Sequence, residues 1–227
     1  MIPVVLLRNG WIVQSKGFDR YQNLGNPVTS VKRLSEWASD EIIYLDISSD
    51  DNYDTRRDDQ GYENRNNFLD IIRDVSEIAF MPITVGGKIR TLADIEDRLK
   101  SGADKVCVNT KAIQDIGFID TAAKEFGSQC IVVSIDAKLT NGIHKVFANG
   151  GKLETQHTPA ELALMVANSG AGEILINSID NDGRGEGYDI ALINQVAGAV
   201  SVPVIACGGV GNWSHLSEAF DNTNADA

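Results

Sequence analysis

The chain has 227 residues, of which 43 % are hydrophobic and 23 % are charged, and its formal net charge is −12. This length suits a single large α/β domain over residues 1–227 with a substantial core. The acidic balance argues against a nucleic-acid partner, because neutralising phosphates requires clustered Lys and Arg. The chain shows neither a signal peptide nor an apolar run of membrane-spanning length, so we expect a cytoplasmic protein with no membrane partner.

Three cysteines, Cys107, Cys130 and Cys207, lie in apolar runs of strand length and lack the spacing of metal ligands. They are expected to be buried free thiols in a reducing compartment. The sequence indicates no metal site and no cofactor.

Apolar runs of strand length alternate with segments of helical periodicity along the chain. Strands are predicted at 2–7, 41–48, 82–85, 105–109, 130–135, 173–178 and 202–207. Helices are predicted at 27–37, 68–78, 92–99, 113–126, 159–169, 190–200 and 213–220. Other segments are predicted as a hairpin return at 11–13, a loop at 16–26 and an inserted hairpin at 146–151. This alternation predicts a parallel sheet with right-handed crossovers.

The most polar stretch of the chain, residues 49–67, follows the second predicted strand. It is predicted to be a solvated loop. A mobile lid over the site is the functional alternative.

The chain contains an internal repeat. Residues 81–110 align without gaps on the segment that begins at Val202, and one residue's slip later Asp104 falls on Asp226. Four strand–helix units that occur twice predict an eight-stranded (βα)8 TIM barrel. A strand begins directly after Asp104, whereas the chain stops at Ala227. We therefore expect strand eight and the final helix to be missing, which would leave two unpaired strand edges.

Asp136 is the candidate centre of the active site. It follows the apolar run 130–135, and the carboxyl ends of parallel strands are where α/β folds place their chemistry. Asp46 and Asp180 also lie at or just past strand ends, although Asp180 is equally well explained as a turn residue.

Two glycine-rich loops follow equivalent strands of the two halves. The first contains Gly86 and Gly87, and the second contains Gly208, Gly209 and Gly211. They are either plain turns or, as the duplication favours, two sites where backbone N–H groups bind phosphate. Four further residues would join the two sites: Asn109, Thr110, Asp182 and Gly183.

Glu41, Lys105 and Glu173 each stand at the start of a predicted strand, at the end of the barrel opposite Asp136. Such charges usually form a solvated rim or an ion-pair network. A gate on a passage through the barrel core is the functional alternative.

The segments GSQCIVVSIDAK, TVGG, GADKV and PVIA-GGVGN, in their order along the chain, resemble the cyclase subunit of imidazole glycerol phosphate synthase, the HisF family. The resemblance implies a (βα)8 barrel with a glutaminase docked on its bottom face. Ammonia from the glutaminase would pass through the barrel to a bis-phosphorylated, ribulose-type nucleotide at the top.

The same resemblance assigns roles to residues. Asp136 corresponds to the family's general acid/base, and Glu41, Lys105 and Glu173 to three of its four ammonia-gate charges; the fourth, an arginine, would precede Met1. Asp104 corresponds to a residue that faces the glutaminase. The remaining matches are phosphate ligands, namely Gly86, Gly87, Asn109, Thr110, Gly208, Gly209 and Gly211.

Two positions depart from the family pattern. Leu6 stands where the family carries a second catalytic aspartate, and a leucine transfers no protons. Lys88 replaces the third glycine of the first loop. The VVLLRNG start and the polar insert resemble a divergent HisF-like branch linked to acetamidino-sugar modification of bacterial surface polysaccharides, in which barrel and glutaminase supply ammonia to a sugar amidotransferase.

The sequence therefore favours ammonia delivery for sugar amidination over imidazole ring closure. Two alternatives stay open: a standard cyclase subunit of histidine biosynthesis, and a conduit for ammonia without catalysis of its own.

Overall fold

The computed structural model describes residues 1–36, 39–53 and 65–227. Trp37 of the first predicted helix and residues 54–64 of the predicted loop or lid lie outside these ranges. The chain divides into two compact units. The first unit comprises Met1–Gln14 and Tyr21–Cys107, and the second comprises Ser15–Arg20 and Val108–Ala227.

The sheet of the first unit is mostly parallel. Its strands are β1 (Val4–Arg8), β2 (Trp11–Lys16), β3 (Arg20–Gly25), β4 (Ile42–Asp46), β5 (Ile83–Gly86) and β6 (Lys105–Val108). The last two residues of β2, the first of β3 and the last of β6 belong to the second unit. The strands lie in the order β6-β5-β4-β1-β2-β3. The pairs β1–β4, β4–β5 and β5–β6 are parallel, whereas β1–β2 is antiparallel.

Three helices connect these strands as the periodicity predicts. They are α1 (Pro27–Glu36), α2 (Phe68–Ser76) and α3 (Leu92–Lys100). Asn67 caps α2, and Thr91 forms a capping box with Asp94 at the start of α3, so local side chains satisfy the first backbone N–H groups. The loop predicted at 16–26 is wrong in part, because residues 20–25 form β3.

The second unit has a parallel part and an antiparallel part. Its strands are β7 (Ile131–Thr140), β8 (Ile143–Ala148), β9 (Leu153–Glu154), β10 (Glu173–Ser178) and β11 (Val204–Cys207). Its helices are α4 (Thr110–Gln114), α5 (Ile116–Phe126), α6 (Pro159–Asn168), α7 (Ile190–Ala197) and α8 (Trp213–Asn222). The strands β11, β10 and β7 are parallel neighbours, and β7, β8 and β9 form antiparallel pairs. Strands followed by helices in both units confirm the predicted α/β class.

Strand β7 is longer than predicted. The apolar run ends at Ile135, but pairing with β8 continues the strand to Thr140, with Asp136 opposite Phe147. Asp136 therefore lies inside the strand and not at its end. His144 ties the inserted β8 to α7, because its Nε2 lies 3.0 Å from Asp189 Oδ2 and its Nδ1 lies 3.2 Å from Gln195 Nε2.

The internal repeat is visible in matching hydrogen bonds. Asp104 donates its N–H to Ile83 O at 2.9 Å and accepts the Ile83 N–H on Oδ2 at 2.8 Å. Asp226 makes the same two bonds with Val204, both at 2.9 Å. We call this pair of bonds the aspartate clamp. The predicted alignment of Asp104 with Asp226 is confirmed.

The clamp at Asp104 is expected to contribute to stability. Asp104→Ala removes the acceptor of the Ile83 N–H and should lower the free energy of unfolding by about 0.5–1.5 kcal/mol. Asp104→Asn retains an acceptor oxygen and should lose clearly less. Urea denaturation of both variants measures the difference, and equal losses would contradict a role for the clamp.

Candidate active site

Asp136 is a buried carboxyl group held by two side-chain amides. Asn109 Nδ2 donates to its Oδ2 at 3.0 Å, and Asn177 Nδ2 donates to its Oδ1 at 3.4 Å. Burial raises the pKa of Asp136 to about 7, although the bonds from Asn177 and Asn109 lower it; the charge of Asp182 adds to the rise. A carboxyl group with such a pKa can both accept and donate a proton near neutral pH.

Asn109 lies at the N-cap position of α4, but its side chain makes no cap hydrogen bond. Its Nδ2 instead donates to Asp136 and, at 3.0 Å, to Ser134 O. Thr110 Oγ1 donates to Asn109 Oδ1 at 3.3 Å and accepts the Asn149 N–H at 3.2 Å. The predicted pair Asn109 and Thr110 thus meets the predicted Asp136, and the amide of Asn109 has a fixed orientation.

Asn177 is part of this site, although none of the sequence motifs predicts it. It lies in β10, opposite Asp136 of β7 on one side and Cys207 of β11 on the other. A polar residue near the end of an apolar strand was the available signal, since Asn177 follows the run 174–176.

Cys207 shares this environment. Burial raises the pKa of its thiol to about 12, with further contributions from the charges of Asp182 and Asp136. The thiol therefore stays protonated near neutral pH, which makes it a poor nucleophile.

Asp182 and Gly183, predicted to join a phosphate site, hold the chain segment at 15–18. Asp182 Oδ2 accepts from Ser15 Oγ at 2.6 Å and from the Phe18 N–H at 3.3 Å. A Cβ added at Gly183 would lie 2.0 Å from Ser15 O, so only glycine fits there. These contacts give both residues a structural role, and phosphate binding by them stays a prediction.

Close backbone packing accounts for the second glycine loop. Gly208 and Gly209 have φ of +95° and +103°, and a Cβ at Gly209 would lie 2.0 Å from Gly187 O. The Gly211 N–H donates to His215 Nδ1 at 3.1 Å. The plain-turn alternative thus has a physical basis, and anion binding at this loop stays a prediction.

The first glycine loop packs against the end of β4. A Cβ at Gly87 would lie 2.1 Å from Asp46 O, and one at Gly86 would lie 2.7 Å from Cys107 O. Lys88 has a left-handed φ of +56°, and its Nζ lies 3.2 Å from Asp46 Oδ2. Asp46 is therefore the buried partner of an ion pair.

Asp180 has a structural partner as well, because its Oδ2 accepts the Leu139 N–H at 2.8 Å. This bond supports the turn-residue alternative for Asp180.

Two of the charged residues at strand starts, Glu41 and Lys105, form an ion pair. Within the first unit, Lys105 Nζ lies 2.9 and 3.0 Å from the two carboxylate oxygens of Glu41, and Asp104 forms the clamp beside it. Glu173 is the first residue of β10 in the second unit. An ion pair between Glu41 and Lys105 agrees with both alternatives for these charges.

Comparison with known proteins identifies the family. The Histidine biosynthesis protein family matches residues 1–227. The imidazole glycerol phosphate synthase subunit HisF of Exiguobacterium sp. (strain ATCC BAA-1283 / AT1b) is 40 % identical over 225 residues, which cover 99 % of this chain and 84 % of the relative. The chain belongs to the HisF family.

Two further relatives carry the same name. The protein of Hydrogenobaculum sp. (strain Y04AAS1) is 42 % identical over 228 residues, and that of Clostridium botulinum (strain Okra / Type B1) is 40 % identical over 229 residues. Each alignment covers 100 % of this chain and 86 % of the relative. Family membership confirms the predicted TIM-barrel fold class. No helix in the described part of the chain is long and apolar enough to span a membrane.

The buried carboxyl group predicts a pH-dependent effect of Asp136→Asn on stability. Between pH 3.8 and about 7 the folded protein keeps a proton that the unfolded chain has lost, so Asp136 lowers stability as the pH rises through this window. The variant carries no buried charge. Its melting temperature relative to wild type should therefore be higher at pH 8 than at pH 5, by roughly 2–4 °C for each kcal/mol relieved.

Calorimetry at the two pH values measures this difference. Asp221→Asn, at an exposed position of α8, is the matched control and should show no such change. A difference for Asp136→Asn that is independent of pH would contradict a raised pKa.

Proposed function

We propose that this chain is the cyclase subunit of a glutamine-dependent synthase of the imidazole glycerol phosphate synthase kind. It would take ammonia from a glutaminase subunit and combine it with a phosphorylated nucleotide. The observation that carries the proposal is the burial of Asp136 between two amides, with a pKa of about 7. Identity of 40–42 % over 99–100 % of this chain to proteins named as such subunits supports it.

Asp136 is the proposed proton-transfer group. Ring closure needs a group that removes a proton from one atom and returns it to another, and a pKa near the working pH serves both steps. Asn109, the N-cap residue of α4, and Asn177, in β10, hold the carboxylate through hydrogen bonds.

The proposed substrate sites are the two glycine loops. Gly86 and Gly87 are the proposed phosphate ligands of the first unit, and those of the second unit are Asn109, Thr110, Asp182, Gly183 and the second loop. The left-handed φ of Gly87, Gly208 and Gly209 supports this, because backbone without Cβ can approach an anion closely.

The proposed glutaminase contacts are Glu41, Asp104 and Lys105 in the first unit and Glu173 in the second. The pair Glu41–Lys105 would close the entry of an ammonia passage until the glutaminase binds. Partial exposure of both side chains, 23 % and 16 %, supports a pair that a partner can reach.

Ammonia supply to a sugar amidotransferase in surface-polysaccharide synthesis is the second candidate. Leu6 of β1 favours this candidate, because it lies opposite Val13 of β2 and Leu45 of β4 and supplies no second proton-transfer group. The names of the relatives favour the synthase of histidine biosynthesis and do not mention sugar modification. A conduit without catalysis would need neither Asp136 nor the phosphate sites.

An ammonia-dependent cyclisation assay tests the proposal. With excess ammonium chloride and the bis-phosphorylated ribulose-type nucleotide, the wild-type chain should turn over. Asp136→Asn should lower the rate by about 100-fold or more, because proton transfer is lost. Asp221→Asn should match wild type.

The variant Leu6→Asp separates the candidates. No turnover by wild type, with turnover gained in Leu6→Asp, would overturn the proposal and favour ammonia supply to another enzyme. If neither wild type nor Leu6→Asp turns over but the chain still stimulates the glutaminase, the conduit is favoured.

The proposed gate predicts a change in coupling. Lys105→Met should lower the ratio of glutamine-dependent to ammonia-dependent turnover roughly tenfold, about 1.4 kcal/mol in barrier, because opening of the entry is then no longer coupled to glutaminase binding. Rates with glutamine and a relative's glutaminase, and with ammonium chloride alone, give the ratio. Lys100→Met breaks an exposed ion pair with Glu96 in the same unit and is the control. Equal ratios for both variants would remove the gate.

A further inference from the structure

The two polar atoms of the Asn177 side-chain amide differ in their hydrogen bonds. Its Nδ2 makes a long bond of 3.4 Å to Asp136 Oδ1. Its Oδ1 is buried and has no hydrogen-bond partner within the described ranges. A buried acceptor without a partner costs about 1–3 kcal/mol.

Asn109 shows the opposite pattern. Its Nδ2 donates to two oxygens, Asp136 Oδ2 and Ser134 O, and its Oδ1 accepts from Thr110. Turning this amide by 180° would bring its carbonyl oxygen against two acceptors. Its orientation is therefore fixed.

The two oxygens of Asp136 thus differ in what they can carry. A carboxylate only accepts hydrogen bonds, whereas a carboxylic acid also donates one. A proton on Oδ2 would point at the fixed N–H of Asn109. A proton on Oδ1 faces an amide that can turn and offer its carbonyl oxygen with little change of shape.

We propose that Asp136 carries its exchangeable proton on Oδ1, and that Asn177 is the positioning residue that adapts to it. Asn177 donates through Nδ2 to the carboxylate and accepts through Oδ1 from the carboxylic acid. When the acid gives its proton to a substrate atom, the O–H bond breaks and the amide turns back. When Oδ1 takes a proton from the substrate, the reverse occurs. The inference rests on the proposed role of Asp136 in proton transfer.

Three other titratable residues of the second unit lie in β7, in β11 or just after β10. The charge of Asp182 raises the pKa of Asp136, and the thiol of Cys207 stays protonated near neutral pH because burial raises its pKa. Lys138 lies two residues along β7 and is exposed. None of these residues replaces an acceptor for a proton on Oδ1.

Nuclear magnetic resonance of the full chain tests the proposal without substrate. Carboxyl carbons of Asp and side-chain amides of Asn are followed from pH 5 to 9, and Asp136→Asn identifies the Asp136 signal. In wild type the hydrogen-bonded N–H signal of Asn177 should disappear as Asp136 gains its proton, while that of Asn109 persists. An Asn177 amide that keeps its hydrogen bond at both ends of the titration would overturn the proposal. The titration itself is recorded on the wild-type chain, and Asp136→Asn serves only to assign the Asp136 signal.

Variants give a second readout. Asn109→Leu removes a donor that binds Oδ2 in both forms but binds the charged carboxylate more strongly, so the Asp136 midpoint should rise by about one pH unit or more. Asn177→Leu removes a partner of both forms and should move the midpoint less. Asn177→Thr should restore the wild-type midpoint, because a hydroxyl both donates and accepts. If the Asp136 midpoint rises in Asn177→Leu by as much as in Asn109→Leu, or by more, Asn177 acts only as a donor and the proposal is overturned. Failure of cyclisation with these titrations intact would count against the proposed function alone.

Discussion

A carboxyl group buried inside a strand that is paired on both sides is the constraint on which the second unit depends. Asp136 is buried, so its charge needs protein donors, and Asn109 at the N-cap of α4 and Asn177 in β10 supply them. The insertion of β8 completes the enclosure by pairing with β7 at Asp136. The strand pairing buries Asp136 and so raises its pKa, and the Asn109 side chain binds Asp136 instead of capping α4.

Several residues that look like ligands in the sequence serve as structural ties. Asp46 pairs with Lys88, Asp180 accepts a backbone N–H and Asp182 holds the segment at 15–18. A carboxylate at a strand end satisfies nearby donors whether or not a substrate binds. This leaves Asp136, whose partners are amides and not cations, as the carboxyl group best suited to change its protonation state.

The repeat and the apolar runs predicted most strands and helices within a few residues, because burial imposes periodicity. Strand β3 was missed because its six residues include one buried position, Gly25, and show no alternation. The extension of β7 past Ile135 depends on β8, which periodicity does not report. Asp136, Asn109 and Thr110 could be chosen from their places after apolar runs, whereas Asn177 could not, because its role arises from contacts between neighbouring strands.

The aspartate clamp has a consequence for the order of folding. It joins residues 21 and 22 positions apart in its two copies, whereas the pairing of β10 with β7 joins Glu173 to Val132. Closing a short loop loses less chain entropy than closing a long one, so local contacts form first. In each half of the chain the clamp can thus fix the first residue of a strand before strands that are more distant in sequence pair.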